Sequence, residues 1–163
     1  MDHQLLPGFK RMMIPVKEGA VRTLIAGSGP PLLMLHGDPQ THLCWHNIAP
    51  HLTDKFTIVL TDIRGRGETH KPGASHDHRP CSKREMATEQ VDVMRHLGFG
   101  RFSLIGHDRG ARVARRMALD HPIAVERLGG CPRISIFIQI KVFWKNKRSH
   151  IGDIASIIFM KIT

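Results

Sequence analysis

Short uninterrupted apolar runs alternate along this chain with longer segments whose apolar residues recur at helical spacing. Val21–Ala26 reads as a strand, closed by the turn-forming Gly27-Ser28-Gly29-Pro30-Pro31. Leu32–Leu35, Phe56–Leu60 and Phe102–Ile105 are continuous apolar runs of strand length. Trp45, Ile48, Ala49 and Leu52 share one helical face, which predicts a helix over Trp45–Leu52. A second helix is expected from a cap at Ser82 through Leu97. Glu85 completes its capping box, and Met86, Val93, Met94 and Leu97 supply its apolar contacts. A third spans Arg109–Leu119 and stops before Pro122. Strands that are apolar throughout, alternating with helices, predict a mostly parallel α/β sheet with helices on both faces.

In such a sheet the chemistry gathers at the carboxyl ends of the strands. Three ends carry unusual sequences: His36-Gly37-Asp38-Pro39, Asp62-Ile63-Arg64-Gly65-Arg66-Gly67 and Gly106-His107-Asp108-Arg109-Gly110. In the last, two glycines flank an aspartate between a strand and a helix, the setting of a nucleophile elbow. The glycines let strand and helix approach closely, and the helix N-terminus favours a negative charge beside it. An aspartate that merely caps its helix is the plainer alternative.

Composition narrows the class. The 163 residues are 41% hydrophobic and 23% charged, enough for a packed core, and no apolar run reaches membrane-spanning length. The N-terminus lacks a secretory apolar stretch. The three scattered cysteines, Cys44, Cys81 and Cys131, fit a reducing cytoplasm without a disulfide framework. The net charge of +10 invites a nucleic-acid reading, but residues 131–163 carry six basic residues and one acid, and so half the excess. No zinc-finger, RNP-like or basic-zipper pattern accompanies it, so no specific nucleic-acid partner is expected.

On His36-Gly37-x-Pro39-Gln40-Thr41-His42, Trp45-His46, Ala49-Pro50, Gly106-His107-Asp108-Arg109-Gly110-Ala111-Arg112-Val113 and Arg116-Met117-Ala118-Leu119-Asp120, the sequence resembles the α/β-hydrolases. Within them it is most similar to the haloacetate (fluoroacetate) dehalogenases, over about residues 7–128. The resemblance implies a small halogenated carboxylic acid as substrate, no cofactor and no metal. Asp108 is then the nucleophile, attacking saturated carbon to give an ester that water cleaves. Arg109 and Arg112, three apart, share the first helical turn, where cations oppose the helix dipole and so call for a compensating anion. The resemblance assigns them the substrate carboxylate. Pairing with surface acids is their other reading. The backbone N–H groups of Asp38 and Arg109 become the oxyanion hole. Relatives often carry an aromatic residue at position 38, and an aspartate there is expected to repel an anionic substrate or pair with Arg109. Trp45 and His46 are read as packing, Arg115 and Arg116 as solvated or structural, and Asp62 as structural.

The resemblance ends near Leu128, so the chain divides into residues 1–128, the N-terminal part of the hydrolase domain, and a basic, isoleucine-rich tail, 129–163. The expected fold is truncated before the lid and last strands, and a frame change or truncated gene is the preferred explanation. The position of the triad acid falls on Pro132, and neither acid nor base histidine is identified. His150 and Asp153 are the only later titratable candidates. The expectation is a chain that is inactive or limited to one turnover. Ile134, Ile136, Ile138, Ile140 and Val142 alternate as a further strand would. Two other readings stay open: an epoxide hydrolase, disfavoured by the absence of tyrosine, and a non-catalytic fragment whose basic tail binds polyanions. His70, His76, Asp77 and His78 form a loop cluster that could bind metal but lacks ligand spacing. His121 reads as a helix terminus.

Overall fold

A computed structural model describes residues 2–71, 73, 81–131 and 160–161. After a short helix, α1 (Asp2–Leu5), the elements are β1 (Lys10–Val16), β2 (Gly19–Ala26), β3 (Pro31–Leu35), β4 (Thr57–Thr61), α2 (Lys83–His96), β5 (Phe102–His107), α3 (Arg109–Asp120), β6 (Val125–Cys131) and β7 (Met160–Lys161). They build one sheet in the order β1-β2-β4-β3-β5-β6-β7. The centre is parallel: β3 pairs with β4 on one side and β5 on the other, and β6 extends it. The β1–β2 hairpin joins antiparallel at one edge and β7 at the other.

The unbroken apolar runs are explained by burial on both faces. Leu33, Leu35, Val59 and Leu104 point to one core with Met86, Val91 and Met94 of α2 and Val113 and Met117 of α3. Their neighbours Leu32, Met34, Ile58, Leu60 and Ile105 point to the other, with Leu6, Phe9, Trp45 and Ala49. Ser82 caps α2 as expected, its side chain accepting from the Glu85 N–H at 3.2 Å.

Two local expectations change. The helix expected over Trp45–Leu52 is instead two single 3₁₀ turns, His42–Trp45 and Ala49–Leu52. Pro50 explains the break: it has no N–H to give the preceding turn, and its ring would strike the carbonyl four residues back. The second face is therefore covered by 3₁₀ turns, while α2 and α3 share the first. Strand β1 was not anticipated. Its Lys10, Arg11 and Pro15 disguise an edge strand, where an exposed charge such as Lys10 and a proline such as Pro15 are tolerated. Pro132, His150, Asp153, the Ile134–Val142 pattern and the loop residues His76, Asp77 and His78 lie outside the described residues.

Candidate active site

Because β4 and β5 flank β3, the crevice between the ends of the parallel β3 and β5 is where the order of strand addition reverses, the usual ligand position in such folds. Three glycines make the crevice. A Cβ on Gly106 would lie 2.5 Å from the Gly110 carbonyl oxygen, and one on Gly110 2.4 Å from that of Leu35. A Cβ on Gly37 would lie 2.9 Å from both Asp108 Cβ and His107 Nδ1. Only hydrogen fits at these points, so strand, helix and the neighbouring loop close onto one another around residue 108.

Asp108 stands at the top of this turn with φ 46° and ψ −108°, the only non-glycine residue with positive φ among the described residues. That backbone is costly for an L-residue and belongs to turns held by their surroundings. The Asp38 N–H donates to Asp108 Oδ2 at 3.2 Å. This amide is the main reason the Asp108 carboxyl lies below the usual aspartate range; partial burial opposes it, while the Arg109 N–H and the Arg112 charge add to the lowering. The carboxylate is thus ionised and half-exposed at the start of a helix.

Arg109 and Arg112 occupy the first turn of α3, Arg112 exposed and Arg109 half-buried. Arg109 also pairs with an acid: its Nη1 lies 3.7 Å from Asp38 Oδ1, and the Arg66 guanidinium contacts the same oxygen. Lys83, at the start of α2, is a further cation of this group. Burial is the larger reason its amine lies below the ordinary lysine range, and the charges of Arg109 and Arg112 lower it further. Sequence spacing offered no signal for Lys83, which stands far upstream of the elbow. Arg66 was visible only as part of a glycine-rich turn. Arg116 pairs with Asp120, Nε to Oδ2 at 2.6 Å, and Arg115 is exposed.

The histidines and Asp62 form the floor. His36, fully buried, donates from Nδ1 to the Gly37 carbonyl at 2.7 Å and accepts the Ile63 N–H at Nε2, 2.9 Å. It is a neutral hinge between two loops, and burial pushes its pKa down. Asp62 accepts from both the His42 N–H and His42 Nδ1 at 2.8 Å. Burial pushes its carboxyl up, but the His42 bonds together outweigh it and leave Asp62 below the ordinary range. Gly67, with φ 51°, lets the turn wrap this carboxylate. Asp62→Ala removes the carboxylate that accepts from both His42 donors and should cost about 3 kcal/mol in urea unfolding at pH 7. Because the folded-state pKa is depressed, that contribution is complete above the unfolded value and fades as pH falls through the folded one.

His107 Nδ1 donates to Gln40 Oε1 at 3.1 Å and ties the elbow to the loop after β3. Trp45 is buried in the core below, and His46 bonds the Leu43 carbonyl at 2.9 Å. His70 lies against β2, where its N–H donates to the Ala20 carbonyl at 3.0 Å, and it faces Glu89. Among the described residues no group of three His, Cys, Asp or Glu is placed to hold a metal, and no helix is long and apolar enough to cross a membrane.

A family model of the alpha/beta hydrolase fold matches residues 30–129, more than half of the chain, and includes all three strand ends. The chain belongs to the α/β-hydrolase family. As a member it is 42% identical over 137 residues to a fluoroacetate dehalogenase from Burkholderia sp, covering 84% of this chain and 45% of that protein. It is 44% identical over 103 residues to a soluble epoxide hydrolase from Corynebacterium sp. (strain C12), covering 63% of this chain and 34% of that one. Among solved structures, an alpha/beta hydrolase-type protein from Nostoc sp PCC 7120 superposes with a TM-score of 0.74 at 38% identity, over 90% of this chain and 55% of that one. This hydrolase-family chain therefore spans about half the length of the relatives it matches, or less.

Proposed function

We propose that the chain carries the nucleophile and the carboxylate-binding half of a hydrolase acting on 2-haloacids. An Asp108 carboxylate oxygen attacks the halogen-bearing carbon. A carbon–oxygen bond forms, the carbon–halogen bond breaks, and halide leaves with the electron pair. Water then attacks the carbonyl carbon of the ester. The N–H groups of Asp38 and Arg109 hold the oxyanion, and collapse returns the Asp108 carboxylate, a 2-hydroxy acid and a proton. The observation that carries this reading is the ionised Asp108 on its positive-φ turn, with the Asp38 N–H on its carboxylate and Arg109 and Arg112 on the helical turn that follows. Arg109 and Arg112 hold the substrate carboxylate in this reading. Ester cleavage is expected to lag behind alkylation in this chain, because the acid position falls on Pro132.

The epoxide hydrolase reading rests on the Corynebacterium relative and uses the same aspartate on a neutral substrate. Arg112→Gln separates the two. It should slow covalent capture of chloroacetate about tenfold, the worth of one charge-assisted contact, while leaving capture of styrene oxide unchanged. Rates come from intact mass against time. Equal slowing of both reagents, or capture of styrene oxide alone by the unmodified chain, would favour the epoxide reading.

A further inference from the structure

The carboxylate of Asp38 does something its backbone does not. The N–H of this residue serves Asp108, while its side chain lies between two guanidinium groups, in contact with Arg66 and 3.7 Å from Arg109. All three side chains are between 34% and 41% exposed, so the carboxylate is held at the mouth of the crevice and not in the core. Arg66 comes from the turn after β4 and Arg109 from the first turn of α3, so one acid bridges that turn and the helix start across the crevice.

We infer that Asp38 is a specificity-determining residue, a built-in competitor whose carboxylate, seated on Arg66, also part-neutralises the Arg109 guanidinium until an incoming carboxylate takes Arg109 over. The inference rests on the assignment of Arg109 to the substrate carboxylate. An anion arriving at Arg109 meets a cation already part-neutralised. The anion prevails only because Asp38 has a second partner, and Arg66 is what makes the exchange inexpensive. A neutral substrate gains nothing from the exchange. Asp38 thus sets how strongly the crevice discriminates between charged and uncharged ligands, and Arg66 sets it in the opposite sense.

The test uses the full chain with acetate, which binds as the haloacid would but cannot alkylate, and acetamide as its uncharged counterpart. Half-saturation is read from the Arg109 side-chain Nε–H resonance. Asp38→Asn should tighten acetate about threefold, in keeping with a half-exposed ion pair, and leave acetamide unmoved. Arg66→Gln, which gives Asp38 wholly to Arg109, should weaken acetate by a similar factor. Glu68→Gln removes the same charge from an exposed acid on the same turn, one bonded to Arg22 instead, and should leave acetate unmoved. Tightening by Glu68→Gln equal to that of Asp38→Asn overturns the inference, as does an unchanged half-saturation in Asp38→Asn or tighter binding in Arg66→Gln. Acetate binding that shifts as expected, in a chain whose Asp108 takes no alkyl group, would sink the nucleophile assignment and leave this one standing.

Discussion

Asp108→Gly and Asp108→Ala are both expected to abolish covalent capture of haloacids completely, and the glycine variant is expected to be the more stable of the two by about 1 kcal/mol. Both remove the carboxylate and its bond from the Asp38 N–H, so that loss cancels in the comparison. What differs is the backbone at φ 46° and ψ −108°. A residue with a Cβ pays strain of about 1–3 kcal/mol there, whereas glycine reaches the mirror-β region freely. Glycine loses about 0.5–1 kcal/mol more through the entropy of its unfolded chain, which leaves the net gain near 1 kcal/mol. Urea unfolding of the two variants gives the difference directly. Alanine more stable than glycine by about 0.5–1 kcal/mol, the whole of the entropy difference, would mean that the elbow holds no strain. An elbow that is costly to every side chain is the expected signature of a position kept for reactivity.

Arg64→Met is expected to lose about 3–5 kcal/mol of stability at neutral pH, a large share of what an ordinary domain has. Arg64 is nearly buried, and its Nε and Nη2 donate to Glu89 Oε2 at 3.0 and 2.7 Å. Its Nη1 reaches Glu18 Oε2 at 2.8 Å. Burial already pushes the Glu89 carboxyl up, and the Arg64 bonds are the main force holding it down. Without the arginine, a carboxylate that is only 2% exposed is left facing the His70 ring, whose Nε2 lies at 3.3 Å. A folded-state pKa raised above the unfolded one costs stability above the unfolded value. The deficit of Arg64→Met should therefore grow as pH rises above about 4 and be larger at pH 7 than at pH 5. Adding Glu89→Leu should recover most of it, because the pair together is replaceable by apolar volume while either partner alone is not. Urea melts of the single and double variants at pH 7 and pH 5 decide it. A double variant no more stable than Arg64→Met would show that packing, not the stranded charge, is at stake.

Much of the fold was legible because the strands here are of the most readable kind. Runs such as Leu32–Leu35 are apolar without interruption because alternate residues enter two different cores, and a strand with one exposed face does not produce that pattern. The elbow was legible for a related reason: closeness of backbones demands glycine, and Gly106 and Gly110 sit where any Cβ would strike a carbonyl. Less was visible wherever a single residue overrides a period. Trp45–Leu52 has the spacing of a helix, yet Pro50, at the start of the second turn, divides it into two turns. Edge strand β1 hides its register behind Pro15 and its basic residues. The charges around the crevice were the least legible. Asp38 was expected to repel an anion or pair with Arg109, and it does pair; that Arg66 shares it, and that Lys83 joins Arg109 and Arg112, depends on loops meeting across the sheet. Local spacing carries no trace of such meetings.

The measurement that bears most directly on the account is the site of covalent capture. The full chain is incubated with fluoroacetate, whose carbon–fluorine bond resists ordinary thiols such as the free Cys44 and Cys81, and then examined by intact mass and peptide mapping. One carboxymethyl ester is expected, on the peptide containing Asp108, absent from Asp108→Ala and accumulating faster than it is released. An unmodified chain in a sample shown to be folded, or a label on any other residue, would contradict it.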